Sequence, residues 1–367
     1  MNINVKILKQ ALAKVYPVIA SNPIIPVLGS FKVDVKSTEV VITGTDTERT
    51  VSTYIEMSNI DTYNICIPAS IFYDTVKSLP DGDDLEFVYD GKSNLLNLKT
   101  RTGKFKISLD DVNDFPVKEV SDIENLFEIS SNCLSMAISK TSFCVSKDTI
   151  RLAMTGVCLQ VSKKEGVSFT ATDAHSLAHV SFDIKPKAEK TVIIPGKALN
   201  HLNNIIDNDV PVSIGLLGEN KVIFYNNTFS YSILLVDAKY PDYRSVIPGA
   251  GDVVSVATKE LASSVKRVAL FSNTATRQIV FTIQESAFKV SGTDIDFGRD
   301  ATEELVCDST LDNFIIGVDH NYMSEILKRV EGDNTIFNFS GPTRTITISE
   351  DRENIKTLFL IIPLMVV

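Results

Sequence analysis

The feature that most constrains this chain is a unit that occurs three times. Thr170-Ala-Thr-Asp-Ala-His-Ser-Leu-Ala178 joins one apolar strand, 166–169, to another, 179–184. Ile42-Thr-Gly-Thr-Asp-Thr47 lies 127 residues earlier, with Asp46 matching Asp173, and Val290-Ser-Gly-Thr-Asp294 lies 121 residues later. A strand–Thr-Asp–strand unit repeated at this period predicts three copies of one domain.

Other markers keep the same period. Each copy opens with a short strand and an amphipathic helix, over 7–20, 134–146 and 261–272, with Leu8, Leu134 and Leu261 spaced by 126 and 127 residues. A second helix is expected over 69–79, 197–206 and 321–330. It is preceded by Pro68 and Pro195 in the first two copies, and by Asp319 as N-cap in the third. Alternating strands separated by Gly, Asn and Asp turns close each copy. Phe115-Pro116 and Tyr240-Pro241 end copies one and two, and 117–125 and 242–252 read as linkers. The expected domains are 1–124, 125–248 and 249–367. Each is α+β, with two helices and about eight short strands. Two helices cannot bury their apolar stripes alone, so they pack side by side on antiparallel sheet.

The 367 residues suffice for several cores, and no apolar run is long enough to span a bilayer. The N-terminal segment lacks the apolar stretch of a secretion signal, and the five cysteines show no paired spacing. Both point to reduced thiols in a cytoplasmic protein.

The net charge is −10, yet the six helical segments together carry +7, which leaves −17 elsewhere. Leu8, Leu12, Val15 and Ile19 share a stripe, while Lys6, Lys9 and Lys14 lie on the other side; Leu134, Ile138 and Val145 repeat this, with Lys140 and Lys147 opposite. A basic helical surface in an acidic chain suits phosphate contacts that read no bases. The alternative is an ordinary solvated helix face.

The chain lacks the motifs of nucleotide-binding loops, serine hydrolases and zinc proteases. His175 and His179 would suit a metal only on a helix, and their Thr-rich, β-branched flanks predict a strand. Asp173 beside His175 lacks a nucleophile. Asp46, Asp173 and Asp294 are expected to bond the backbone of their own turns. No catalytic residue, cofactor or metal is expected.

Taken in order, Pro26-Val-Leu-Gly29, Thr43-Gly-Thr-Asp46, Thr170 to Ala178, Ile193-Ile-Pro-Gly-Lys197, Tyr240-Pro-Asp-Tyr-Arg244 and Leu360-Ile-Ile-Pro363 resemble the bacterial β sliding clamp family, the processivity subunits of DNA polymerase III. The resemblance spans the whole chain. It implies a non-enzymatic, head-to-tail homodimer whose six domains form a ring around duplex DNA, helices inward, tethering the polymerase. It also implies a pocket between domains two and three for short linear peptides of polymerases, the clamp loader and repair proteins. Matched by motif, that pocket falls on Met154, Thr172, Ala174, His175, Ser176, Leu177, Pro241, Ser245 and Val246. It continues at Thr276, Thr345, Leu360, Ile361, Ile362, Pro363, Leu364 and Met365.

The expected DNA-facing residues are Lys6, Lys9, Lys14, Lys140, Lys147, Lys197 and Lys266. The dimer seam maps to 103–109, with Phe105 facing Leu270 and Phe271, and to 297–303. The sequence departs from the family at Ala174, Ser176 and Ser245, and ends without the usual basic residue, so a more apolar pocket is expected. Asn22, Ser70 and Gly196 replace DNA-facing arginines. Those losses motivate an alternative, a divergent clamp-like peptide-binding scaffold with weakened DNA encirclement.

Overall fold

The computed structural model of the chain describes all residues except 21, 59–61, 117–121, 208, 209, 353 and 367. Much of the expected linker 117–125 therefore lies outside the described residues. The same order of elements recurs three times. The first repeat runs β1 (Asn2–Asn4), α1 (Val5–Val15), β2 (Ser30–Val35), β3 (Glu39–Thr45), β4 (Arg49–Glu56), β5 (Tyr63–Pro68), α2 (Ala69–Ser78), β6 (Asp84–Asp90), β7 (Leu95–Lys99) and β8 (Lys104–Ser108). The second runs β9 (Ile123–Ile129), α3 (Ser131–Thr141), β10 (Gly156–Ser162), β11 (Gly166–Thr172), β12 (Ser176–Phe182), β13 (Lys190–Pro195), α4 (Gly196–Ile205), β14 (Val212–Leu217), β15 (Lys221–Tyr225) and β16 (Phe229–Leu234). The third runs β17 (Asp252–Ala257), α5 (Thr258–Val268), β18 (Gln278–Gln284), β19 (Ala287–Asp294), β20 (Arg299–Ser309), β21 (Phe314–Asp319), α6 (His320–Leu327), β22 (Asn334–Phe339), β23 (Ile346–Arg352) and β24 (Ile355–Ile361).

The chain forms two compact units, 1–134 with 201–235, and 135–200 with 236–367. These units cut through the second repeat, because sheets run from one repeat into the next. In the first unit β4 pairs antiparallel with β16, joining eight strands in the order β5-β2-β3-β4-β16-β15-β14-β9. A four-stranded sheet, β1-β6-β7-β8, completes it. In the second unit β12 pairs with β24, placing Leu177 opposite Leu360, and twelve strands run β13-β10-β11-β12-β24-β23-β22-β17-β20-β19-β18-β21.

The first helix of each repeat starts before its expected first residue, at Val5, Ser131 and Thr258. In α1 the start is fixed by Asn4, whose side chain accepts from the Lys6 N–H at 3.1 Å. Each ends in a tightened 3-10 turn, at Tyr16–Val18, Ser142–Cys144 and Ala269–Phe271. In the first, Pro17 has no N–H with which to continue the α ladder. Leu8, Leu12 and Val15 are buried, as are Leu261, Val265 and Val268. Each such side chain removed from water contributes about 1.5–3 kcal/mol. The helix lies so close to the sheet that a Cβ on Gly44 of β3 would sit 2.6 Å from Val15 Cγ1, and one on Gly292 of β19 would sit 2.9 Å from Val268 Cγ1. Asp319 caps α6 as expected, accepting from Asn321 N–H at 2.8 Å. Among the described residues no helix is long and apolar enough to cross a membrane.

Candidate functional site

The turn between β11 and β12 builds one wall of a pocket. Asp173 Oδ1 accepts from the N–H groups of His175 (3.0 Å) and Ser176 (2.7 Å), and from Ser176 Oγ (3.0 Å). Thr172 Oγ1 donates to the Ser176 carbonyl at 2.7 Å and accepts from Ala174 N–H at 3.1 Å. These bonds hold Ala174 at φ 77°, a left-handed conformation that a side chain disfavours. The first repeat has the same turn: Asp46 accepts from Glu48 and Arg49 N–H, Thr45 accepts from Thr47 N–H, and Thr47 has φ 78°. Asp294 departs from the expectation for this trio. It is buried, makes no cap bond to its own turn and accepts from Asn273 Nδ2 at 3.4 Å. The following 3-10 turn, Ile295–Phe297, replaces the tight hairpin.

The pocket floor comes from the β12–β24 pair and the linker that follows β16. Leu177, Leu360 and Tyr243 pack together with Tyr240 and Ile247. Tyr243 begins a short 3-10 turn, Tyr243–Val246, capped by Asp242, whose carboxylate accepts from Arg244 N–H. The resulting cavity of about 170 Å³ is lined by Met154, Thr172, Ala174, His175, Ser176, Leu177, Pro241, Asp242, Tyr243, Val246, Leu360 and Ile362. The hydroxyls of Thr172 and Ser176 are spent on the turn, so the wall presents mainly carbon. An open, mostly apolar hollow with few free polar groups suits an aliphatic or aromatic side chain.

Ten residues expected at the pocket line it. Tyr243 and Asp242 were missed; the signal was an aromatic inside a polar linker, Tyr240-Pro-Asp-Tyr-Arg244. Seven expected residues do not line it. Ile361 is buried, because alternation along β24 turns it away from its neighbours Leu360 and Ile362. Leu364 N–H donates to the Gly317 carbonyl and the Met365 carbonyl accepts from Gln278, so the tail with Pro363 runs along β21. Ser245 donates to the Asp242 carbonyl and Thr345 to the Val246 carbonyl. Thr276 lies in the turn before β18.

A polar cleft of about 720 Å³ shares His175 and Asp173 with this region and includes Lys147, Arg151, Arg277 and Tyr322. The His175 ring lies 6.3 Å from that of Tyr322. His179 points elsewhere: its Nδ1 is 2.8 Å from Thr170 Oγ1 and its ring faces Tyr243. Burial, reinforced by Arg244, pushes His179 down to about 4, so it is neutral near pH 7. Arg244 is itself held by Glu165, at 2.5 Å and 3.2 Å.

The basic residues do not behave alike. Lys6, Lys147, Lys197 and Lys266 are exposed. Lys9 donates to the Leu79 carbonyl, at the end of α2, and to Asp81, while Lys14 is paired with Asp207 at 2.7 Å. Lys140 contradicts the expectation that it faces DNA. It is buried, bonded to Glu350 at 2.7 Å and 3.7 Å from Glu331. Helical periodicity placed it off the apolar stripe, but the third repeat supplies an acid that draws it inward. Burial pushes Glu350 up, yet Lys140 and the N–H groups of Gly332 and Glu331 outweigh this and leave it below the usual range. Phe105, Leu270 and Phe271 are exposed, as are Phe297, the first residue of the expected seam segment, which lies in the 3-10 turn before β20, and Ile295, which the sequence does not single out.

Comparison with known proteins gives this architecture its relatives. Residues 1–119, 128–242 and 244–364 match, in that order, the N-terminal, central and C-terminal domains of the DNA polymerase III beta subunit. The beta sliding clamp of Staphylococcus aureus (strain Mu50) is 26% identical over 352 residues, covering 93% of this chain and 92% of that protein. Among solved structures, the Pseudomonas aeruginosa sliding clamp bound to griselimycin superposes with a TM-score of 0.92 at 25% identity, over 100% of this chain and 99% of that one. The Bacillus subtilis clamp gives 0.89 at 25% identity, with the same coverage. With three clamp domains matched in order along almost its full length, the chain belongs to the bacterial DNA polymerase III beta subunits, the sliding clamps.

Proposed function

We propose that two copies of this chain close head to tail into a ring around duplex DNA and tether the replicative polymerase as its processivity factor. The ring works in the cytoplasm and catalyses nothing. The observation that carries this reading is the presence of all three clamp domains in order, over nearly the full length of both this chain and its relatives. We take the domains as 1–124, 125–248 and 249–367. In this reading the seam joins β8, which carries exposed Phe105 on a sheet edge, to the exposed Leu270, Phe271, Ile295 and Phe297 of a second copy. Pairing that edge also satisfies backbone groups that would otherwise invite aggregation.

The apolar pocket is the docking point for short peptides of polymerases, the clamp loader and repair proteins, with one apolar side chain seated over Leu177, Leu360 and Tyr243. The griselimycin complex of the Pseudomonas clamp supports the view that this fold takes peptide-like ligands. Phosphate contacts fall to Lys6, Lys147, Lys197 and Lys266, with Lys9 and Lys14 damped by their acidic partners.

Light scattering at micromolar concentration tests closure: a ring has twice the chain mass of 40.4 kDa. Retention on nicked circular DNA, with loss after linearisation, then tests encirclement. A mass that stays at that of one chain as concentration rises would sink the ring and leave a peptide-binding scaffold.

A further inference from the structure

We propose that the end of the second repeat opposite the Thr172–Ser176 turn is a phosphate-binding surface for duplex nucleic acid. This site is separate from the helices and does not require a closed ring. Five lysines converge there: Lys163 and Lys164 in the β10–β11 turn, Lys185 and Lys187 after β12, and Lys190 at the start of β13. Strand register brings them to one end. Ser162 pairs with Gly166, Val167 with Phe182, and Val161 with Lys190.

The surface is held in place by bonds that leave the ammonium groups free. Ser162 Oγ accepts from the N–H groups of Lys164 and Glu165, and Lys163 N–H donates to Glu189 Oε1 at 3.3 Å, tying the hairpin to the start of β13. All five lysines are exposed, and among the described residues none forms an ion pair. Of the acids on the β10–β11 turn and in the segment 183–190, Glu165 is taken up by Arg244, leaving Asp183 and Glu189. A local positive excess on a chain of net charge −10 is not expected from composition.

The residue types choose the partner class. Protein interfaces enrich aromatics and Arg and deplete Lys at their centres. Here the cations without an acidic partner are all Lys, and the only Phe residues in 162–190, Phe169 and Phe182, are buried. With no aromatic to stack bases, the surface is built for the phosphate backbone rather than for single-stranded bases or a protein anchor. Strand β11 has seven residues, which at about 3.3 Å each separates the lysines from the Thr172 end by roughly 20 Å.

The test is fluorescence anisotropy of a short labelled duplex against salt, using the full-length protein. The wild type is compared with one variant carrying Lys→Gln at 163, 164, 185, 187 and 190, and with another carrying Lys6→Gln, Lys197→Gln and Lys266→Gln. Each phosphate contact contributes about 0.9 to the slope of log K against log salt. The proposal expects the five-site variant to lose at least tenfold in affinity at low salt and to show a slope smaller by about 3–4, with melting unchanged. An unchanged slope in that variant, with loss confined to the helix variant, overturns it. Equal binding of a glutamate-rich peptide of matched charge also overturns it, by making the surface a general acid receptor. Failure of ring closure in light scattering leaves these outcomes intact, so the two readings fail separately.

Discussion

Lys140 shows how far a single residue can depart from its place in a periodic pattern. Its ammonium and the Glu350 carboxylate are both nearly removed from water, their side chains 3% and 9% exposed. Two backbone N–H groups, at 2.7 and 2.8 Å, complete the carboxylate's partners. Removing one member leaves a buried charge without its counter-ion, so Lys140→Ala should destabilise the protein by about 3–5 kcal/mol in urea unfolding. A surface lysine touching phosphate would instead cost almost no stability and reduce the salt dependence of DNA binding. The two outcomes separate the roles. His179 gives a second expectation. Its folded value, about 4, lies below the ordinary 6.5. Between those values the unfolded chain binds the proton and the folded chain does not. Stability from this group is full above pH 6.5 and falls as pH drops towards 4, by up to about 3–4 kcal/mol. His179→Gln should flatten that part of the stability–pH curve; an unaltered curve would place the acid sensitivity in the carboxylate pairs.

At the scale of elements, the sequence carried the order of helices and strands but not their ends. The Leu8 and Leu134 stripes locate α1 and α3, yet the sequence reading singles out neither Asn4 as N-cap nor Pro17, inside the expected 7–20 helix, as its end. The Thr-Asp turns were legible because Thr45-Asp46 and Thr172-Asp173 use the same local bonds wherever they occur. The third copy was not, because Asp294 is turned inward by a partner, Asn273, that lies 21 residues away. Gly44 shows why local composition matters to the assembly of elements. Its missing Cβ lets α1 approach β3, and a methyl group there would meet Val15 and, at 3.1 Å, Ile19. Gly44→Ala should therefore lift α1 and cost about 1–3 kcal/mol, read as a lower thermal midpoint. The same change at Gly82, which has nothing within 4 Å of the added carbon, should be close to neutral.

For the molecule as a whole, the repeat period was enough to give three α+β domains, whereas the continuity of sheets across repeats was not legible. No residue pattern announces that β4 will pair with β16 or β12 with β24, since an edge strand and an inner strand share the same alternation. The pocket was legible in proportion to this. Of the local turn, Thr172 and Ala174 to Leu177 line the cavity, whereas the C-terminal stretch does so only at Leu360 and Ile362: alternation turns Ile361 away, and Pro363 to Met365 follow β21. The same physics bears on the seam. Leu270 is 73% exposed and Phe271 40%, beside Ile295 at 88% and Phe297 at 68%. A monomer gains nothing from holding these apolar groups in water, and a patch of this kind marks a surface meant to be covered. Leu270→Glu places a charge in that surface without touching the core, so the fold and the peptide pocket should survive. If a second copy covers the patch, the variant should weigh as a single chain at concentrations where the wild type is a dimer, bind an apolar-ended peptide with unchanged affinity, and no longer stay on circular DNA. A dimer of undiminished stability would place the seam elsewhere, and loss of peptide affinity with the mass unchanged would make Leu270 part of the pocket's support rather than of the ring.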